Sequence, residues 1–374
     1  MTLYENRLAA KPQTHVLLIA VNHYPHLNDG GKKAAPKTYG QGQLTTPIQS
    51  ALKLADWFKT KLNNPAAQLG SIEMVLSPGG AAAPAVGAAT LPNIKKAFSD
   101  WYGRCKSGDV AWFYFCGHGL ESNATVLLAE DYGSDPNNPW DGAFDFRGTF
   151  TNLADWSCKT QIFAVDACRT LITDPLIGIP ALRNATPSTF PQRDAPIFRA
   201  TSFGNTALGP PTAPSYFSEA LVDCLNHLGA SHFDGNDWVV DTASLARALV
   251  ERMNRTINNG ARKFLPCDIS GGSQTLPFTP IHTLPESEVR VMSTIACDPP
   301  AADDESTLEA HEPLLPHKVN SRGMLRPWWP ELPVGVYDLT GKVVAGSNNF
   351  STISPRKGNR VAPPLFTRNL QAIK

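Results

Sequence analysis

Gly117, His118 and Gly119 close the apolar run DVAWFYFC, and Cys168 closes the later run QIFAVDA, fifty positions downstream of the histidine. Both runs have strand length and are rich in β-branched or aromatic residues. If they are neighbouring parallel strands joined by a crossover, the imidazole and the thiol arrive at the same sheet edge. A cysteine with an ordinary pKa of about 8.5 needs a base or a positive charge beside it to become a thiolate at neutral pH. The histidine supplies one, so the pair suits nucleophilic catalysis. The glycines remove bulk around the ring, and the N–H groups of Gly119 and Cys168 are candidates to hold a developing oxyanion.

The rest of the chain must position that pair. The 374 residues exceed one typical domain, and a hydrophobic fraction of 42% suffices for a real core. Thirty-three basic and 33 acidic residues cancel without long blocks of either sign, which argues against nucleic acid or an anionic membrane surface as a partner. The opening stretch lacks a basic and apolar leader, and the longest apolar runs fall well short of the ~20 residues of a membrane helix. Seven cysteines without a repeated spacing do not form a disulfide framework. A cytoplasmic location is therefore expected. Cys105, Cys116, Cys158, Cys224, Cys267 and Cys297 read as small apolar residues.

Strand-like runs fall at 15–22, 71–77, 110–116, 161–167 and 197–203. Helical patterns separate or follow them: TTPIQSALKLADWFKTKL, LPNIKKAFSDWYGRC, TNLADWSC, SYFSEALVDCLNHL and TASLARALVERMNRTI. Nearly continuous apolar strands alternating with helices predict a mostly parallel sheet covered on both faces. Residues 77–92 read as a small-residue surface loop, and 170–196 as a long proline-broken loop beginning directly after Cys168. Beyond about 285 the texture turns proline-rich. LPVGVYDLTGKVVAGSNNFSTIS then alternates like strands joined by a TGK turn, and Trp328 and Trp329 read as packing residues. No internal repeat stands out.

FYFCGHG followed by DACR resembles the caspase-like cysteine peptidases: caspases, metacaspases and paracaspases. The likeness runs over about 14–280, with LLIAVNHY as first strand and ALKLADWFKTKL as first helix. It implies an α/β, caspase-like three-layer fold, with a mostly parallel central sheet flanked by helices. With the change of texture beyond it, residues 1–285 are expected as the peptidase domain, 286–325 as a linker and 326–374 as a small β-rich C-terminal appendage. The resemblance makes His118 the general base and acid, Cys168 the nucleophile, and Gly119 an oxyanion donor.

In metacaspases an aspartate two residues before the nucleophile lines an acidic S1 pocket, and Asp166 occupies that place, implying arginine or lysine at P1. Those enzymes usually carry a second aspartate in the first helix, where this chain has Gln49, Ser50 and Ala51; caspases have glutamine in place of Asp166. The loop 170–196 corresponds to the caspase intersubunit linker, which makes Arg183 and Arg193 candidate processing sites in a zymogen activated by a protease or signalling protein. Prokaryotic relatives suggest a stress or antiviral defence pathway.

No cofactor is expected. Cys116 and His118 lack the second ligand pair that zinc needs, and Asp131, Asp135, Asp141 and Asp145 lack EF-hand spacing. The partner class is a protein or peptide substrate. The alternative is a pseudoenzyme scaffold whose C-terminal segment binds a partner.

Overall fold

Gln13–Ala20, Val110–Gly117 and Thr160–Ala167 are buried along their whole length. Strands of that kind belong in the middle of a sheet covered on both sides. In the computed structural model they occupy the centre of seven strands, ordered Thr2–Glu5, Gln68–Leu76, Gln13–Ala20, Val110–Gly117, Thr160–Ala167, Pro196–Arg199 and Asp268–Gly271. The five inner strands are parallel, and the two edge strands run antiparallel to their neighbours. The structure describes residues 2–6, 11–77, 87–138, 140–185, 192–207, 209–210, 212–258, 267–271, 279–298, 307–313, 318–320, 328–342 and 352–373. Among them no helix is long and apolar enough to cross a membrane.

The chain divides into two compact units, Met1–Val222 with Leu249–His282, and Asp223–Ala248 with Thr283–Lys374. The first holds the seven-stranded sheet. Its helix Pro47–Thr60 packs on the strands Gln13–Ala20 and Val110–Gly117, and Leu91–Arg104 packs on Gln68–Leu76 and Gln13–Ala20. Each begins with proline in its first turn and borrows a remote cap: Ile48 N–H donates to Asn22 Oδ1 at 2.8 Å, and Leu91 N–H to Asp131 Oδ1 at 2.8 Å. Strand alternation sorts the core between the faces. Leu17, Ile19, Phe113, Phe115, Phe163 and Val165 share a cluster with Ile94, Phe98 and Trp101 of the second helix. Trp112 faces the other way, its ring 5.3 Å from that of Phe58 in the first.

A second, four-stranded sheet in this unit joins Ala143–Asp145, Thr125–Leu128, Gly119–Glu121 and Thr170–Leu171 in that order. It begins where the strands carrying His118 and Cys168 leave the large sheet.

Three expectations shift before residue 230. The helix expected over TNLADWSC lies earlier, at Phe146–Asn152, because Asp145 accepts the Gly148 N–H at 2.8 Å and starts the turn there. The strand expected to reach residue 203 stops at Arg199, and Phe203 is exposed. SYFSEALVDCLNHL begins as the α-helix Tyr216–Asp223 and widens to a π turn at Cys224–Leu228.

The second unit is mainly β. Ala230–Phe233 and Trp238–Asp241 form an antiparallel pair. Two four-stranded sheets follow: Glu331–Pro333, Arg290–Asp298, Leu365–Ile373 and Thr352–Ile353; and Lys318–Asn320, Thr307–His311, Gly335–Lys342 and Arg356–Val361. Val291, Ile295, Leu308, Tyr337, Leu339, Val361 and Leu370 form their core. The stretch 286–325, expected as a linker, thus carries three strands. Its buried positions Val291, Met292, Ser293, Ile295 and Cys297 are masked in composition by the prolines and acids that follow. The TGK expected as a turn lies inside the strand Gly335–Lys342, since a Cβ at Gly341 would meet Ile353 Cδ1 at 2.5 Å: the glycine serves close packing.

Candidate active site

Parallel register brings the two chemical residues together. In the large sheet Cys116 pairs with Asp166 and Gly117 with Ala167; in the small one Leu120 pairs with Thr170 and Glu121 with Leu171. Both pairings carry the same offset of fifty, so His118 and Cys168 sit opposite one another between two registered rungs. A salt bridge reinforces the upper rung: Arg169 Nε lies 3.0 Å from Glu121 Oε2, and its Nη1 lies 2.8 Å from Asp268 Oδ2.

The glycines around the histidine are required by close approach. A Cβ at Gly119 would lie 2.4 Å from the Cys168 carbonyl oxygen, and one at Gly117 would lie 2.6 Å from the Tyr24 hydroxyl. That hydroxyl accepts the His118 backbone N–H at 2.8 Å and donates to the Leu128 carbonyl at 3.3 Å. The Tyr24 and His118 rings also pack, 4.7 Å between centroids.

His118 is 3% exposed, and its Nε2 lies 2.7 Å from the Gly42 carbonyl oxygen. A carbonyl only accepts, so Nε2 carries the proton of the neutral ring and Nδ1 the free lone pair. That Nδ1 is buried and has no hydrogen-bond partner among the described residues. Burial pushes the imidazole down to about 4, against the opposing effect of the Gly42 hydrogen bond. Burial likewise raises the Cys168 thiol above its ordinary value; the Ala207 N–H bonded to the sulfur works against that rise, and the charge of Asp166 adds to it. The resting pair is therefore a thiol and a neutral imidazole.

Cys168 and Asp166 line one cavity of about 30 Å³ with Leu44, Thr46, Pro47, Cys116, Gly117, Ala207 and Ser215. Asp166 is buried and accepts from Tyr114 Oη at 2.8 Å and from the Ser215 hydroxyl. Burial raises its carboxyl, and the hydroxyls of Ser215 and Tyr114 and the Cys116 thiol oppose the rise. Ser50, where metacaspases place their second aspartate, is buried and accepts the Ser215 N–H at 2.9 Å.

The structure thus brings together His118, Gly119, Asp166 and Cys168. Arg183 and Arg193 are tied to other partners. Arg183 pairs with Asp155 and lies over the Tyr102 ring at 5.2 Å. Arg193 lies over Phe150 at 4.2 Å and donates to Gln161 Oε1 at 2.9 Å. Residues 186–191 of the loop between them lie outside the described residues. Of the acidic residues, Asp145 caps a helix, Asp131 caps another, Asp135 accepts the Asn137 N–H and Asp141 pairs with Ser134. Sequence reasoning missed Tyr24, the Gly42 carbonyl, Tyr114 and Ser215; the first two act through a hydroxyl and a main-chain oxygen that no motif marks.

Residues 13–274 match the sequence model of the caspase domain family. The uncharacterized protein y4kE of Sinorhizobium fredii (strain NBRC 101917 / NGR234) is 30% identical over 230 residues, covering 53% of this chain and 65% of that protein. The match therefore spans just under two thirds of that relative's length. Among solved structures, caspase-1 from Spodoptera frugiperda aligns with a TM-score of 0.45 and 13% identity, over 76% of this chain and 98% of that one.

Proposed function

The chain belongs to the caspase domain family of cysteine peptidases, and from that premise we propose that it is an endopeptidase working through Cys168 and His118. The observation that carries this reading is the double register, which sets the two residues opposite each other while leaving His118 Nδ1 free.

Nδ1 takes the thiol proton as the Cys168 sulfur attacks the scissile carbonyl carbon. The N–H groups of Gly119 and Cys168 stabilise the oxyanion of the tetrahedral intermediate. The imidazolium then returns the proton to the leaving amine, and a water activated by the same nitrogen hydrolyses the thioester. The Gly42 carbonyl favours each charged stage of the ring, since it accepts the Nε2 proton throughout.

Asp166 forms the floor of the P1 pocket and selects arginine or lysine by a charge-assisted contact. The cavity beside it, about 30 Å³, holds roughly one water and must widen to admit such a side chain. This supports a latent resting form, as do the neutral dyad and the Ala207 N–H on the sulfur. Activation by cleavage after Arg183 or Arg193 first requires the segment to come loose, because both guanidinium groups are engaged.

The test uses fluorogenic peptides differing only at P1 (arginine, lysine, aspartate, leucine), with wild type and Cys168→Ala, before and after limited proteolysis. Turnover after a basic residue that vanishes in the variant is the expected result. Turnover only after aspartate overturns the Asp166 assignment, and none in any form overturns the peptidase reading in favour of a scaffold.

A further inference from the structure

The carbonyl that orients His118 belongs to a long excursion between the strand Gln13–Ala20 and the helix Pro47–Thr60, and the excursion is fastened to the chain that leaves Cys168. On one side of Gly42, the Gln43 amide accepts the Tyr24 N–H at 2.9 Å and donates to the carbonyls of Tyr24 at 3.0 Å and Asn28 at 2.9 Å. These contacts anchor the strap to its own root. On the other side the Asn28 N–H donates to the Gln41 carbonyl at 3.3 Å, but the side chains reach the chain that leaves Cys168: Gln41 Nε2 donates to Thr170 Oγ1 at 3.0 Å, Tyr39 Oη donates to Asp174 Oδ2 at 2.9 Å, and Lys37 pairs with Asp174 Oδ1.

The conformation at this end depends on its partners. Tyr39 sits at φ +51°, a left-handed conformation unfavourable for an aromatic residue, and is followed by Gly40 at φ +73°. Stacking of its ring on Trp140, 6.1 Å between centroids, and the bond to Asp174 hold it there. Thr170 is itself registered opposite Leu120, two residues past the histidine. The path is closed: His118 to Gly42, along the strap to Gln41 and Tyr39, across to Thr170 and Asp174, and back along the chain to Cys168.

We infer that Gln41, Tyr39 and Asp174 are positioning residues, which clip the Gly42 carbonyl to the segment leaving the nucleophile and so make the orientation of the His118 imidazole depend on the course of that segment. The inference rests on the Cys168–His118 reading. Whatever displaces residues 170–174, a cut or a bound partner, acts on the base as well as on access to the thiol. Removing the carboxylate frees Lys37 and leaves Tyr39 without the bond that holds its strained backbone. Removing the Gln41 amide loosens the residue next to Gly42.

The experiment follows alkylation of Cys168 by iodoacetamide from pH 6 to 10, for which no peptide substrate need be known. Wild type is compared with His118→Ala, Asp174→Ala, Gln41→Ala, the Asp174→Ala/Gln41→Ala double variant, Asp174→Glu, and Lys96→Ala as a control. Lys96 pairs with Asp100 within one helix. Each single clip variant is expected to slow alkylation by about fivefold and the double by about twentyfold, in keeping with half-exposed contacts. The alkaline climb of the rate should shift in the same direction as in His118→Ala, with thermal melting unchanged, with Asp174→Glu restoring most of the rate, and with Lys96→Ala like wild type. A double variant with wild-type rate and pH profile overturns the inference while leaving the dyad standing. Equal rates in wild type and His118→Ala overturn the dyad, and this inference with it.

Discussion

Two histidines stand at opposite ends of adjacent strands of the large sheet, His15 within one and His118 just past the end of the other, and they differ in how their ring nitrogens are used. At the amino end, His15 Nδ1 is 2.8 Å from Ser71 Oγ and its Nε2 is 3.6 Å from Asp109 Oδ2. As residue types these make a serine, histidine and carboxylate set. Yet Ser71 is 0% exposed, the Asp109 oxygens are spent on the N–H groups of Gln13 at 2.8 Å and Lys106 at 2.7 Å, and Trp101 Nε1 donates to the His15 carbonyl at 3.1 Å. Both ring nitrogens of His15 have partners. At the carboxyl end His118 has one nitrogen satisfied and one without a partner among the described residues, and its chain neighbour Gly117 lines a cavity together with Cys168. The comparison teaches that residue types do not make a site. A catalytic group keeps an atom in reserve and faces space, whereas a structural one is satisfied and enclosed.

The sharpest way to break this contrast is to remove each histidine. His118→Ala is expected to lower kcat of the folded protein by ~10³-fold or more, and Cys168→Ala to abolish turnover with little change in unfolding free energy. His15→Ala should do the reverse, destabilising the fold by about 2–3 kcal/mol through the orphaned Asp109 and Ser71, with kcat of the folded protein within about threefold of wild type. Peptide kinetics paired with urea unfolding separate the two, and a His15→Ala protein that is stable but inactive would reverse the assignment.

How much of this was legible in the sequence follows from where each signal resides. The parallel strands and the juxtaposition of His118 with Cys168 were, because buried strands write nearly continuous apolar runs and the fifty-residue offset is preserved in the register. The histidine's orienting group was not. Gly42 contributes a main-chain oxygen from 76 positions away, and Tyr24 a hydroxyl from 94, so their roles appear only after the strap folds back. The amino-end set was missed for the same reason, His15, Ser71 and Asp109 being joined by register alone. The strands of 290–320 hid behind their proline-rich and acidic surroundings, and the helix at Phe146 behind a cap, Asp145, that stands as the last of four spaced aspartates.

Glycines at the two ends sharpen the contrast at the next level. In Gly119→Ala the new methyl meets the Cys168 carbonyl oxygen at 2.4 Å and must displace the nucleophile's own peptide, so kcat should fall by ~100-fold. In Gly70→Ala it meets His15 Cε1 at 2.7 Å and Gln13 Cβ at 2.8 Å, and the expected cost is about 1–3 kcal/mol of stability with the rate preserved.

The ends should also answer pH in opposite ranges. With the Cys168 thiol above its ordinary value and His118 pushed down to about 4, no thiolate and imidazolium pair exists near neutrality. Alkylation of the resting enzyme should therefore climb on the alkaline side, about tenfold per unit until the thiol ionises, without a plateau at pH 5–8. At the amino end burial would raise Asp109, but the His15 imidazole and the N–H groups of Gln13 and Lys106 outweigh it and hold the carboxyl below its usual range. Its contribution to stability is full above the unfolded value and is lost as pH falls through the folded one. Asp109→Asn should flatten that acid limb of the unfolding curve, leave the alkaline climb of Cys168 unchanged, and lower stability at neutral pH.

The smallest effects test whether a buried main-chain partner matters more beside a reactive ring than beside a satisfied one. Tyr24→Phe removes the hydroxyl that accepts the His118 N–H, leaving a buried donor unpaired at a cost of about 1–3 kcal/mol. Trp101→Phe removes the donor to the His15 carbonyl and, in addition, part of a buried ring of the same core. The melting temperature should therefore fall further in Trp101→Phe than in Tyr24→Phe. The rates should follow the opposite order, because Tyr24 fixes the peptide of the residue whose Nδ1 must reach a sulfur, and kcat in Tyr24→Phe should drop about threefold to tenfold with KM unchanged. If Trp101→Phe slowed catalysis as much, the two ends would be coupled through the sheet, and the independence assumed in every pairing above would fail.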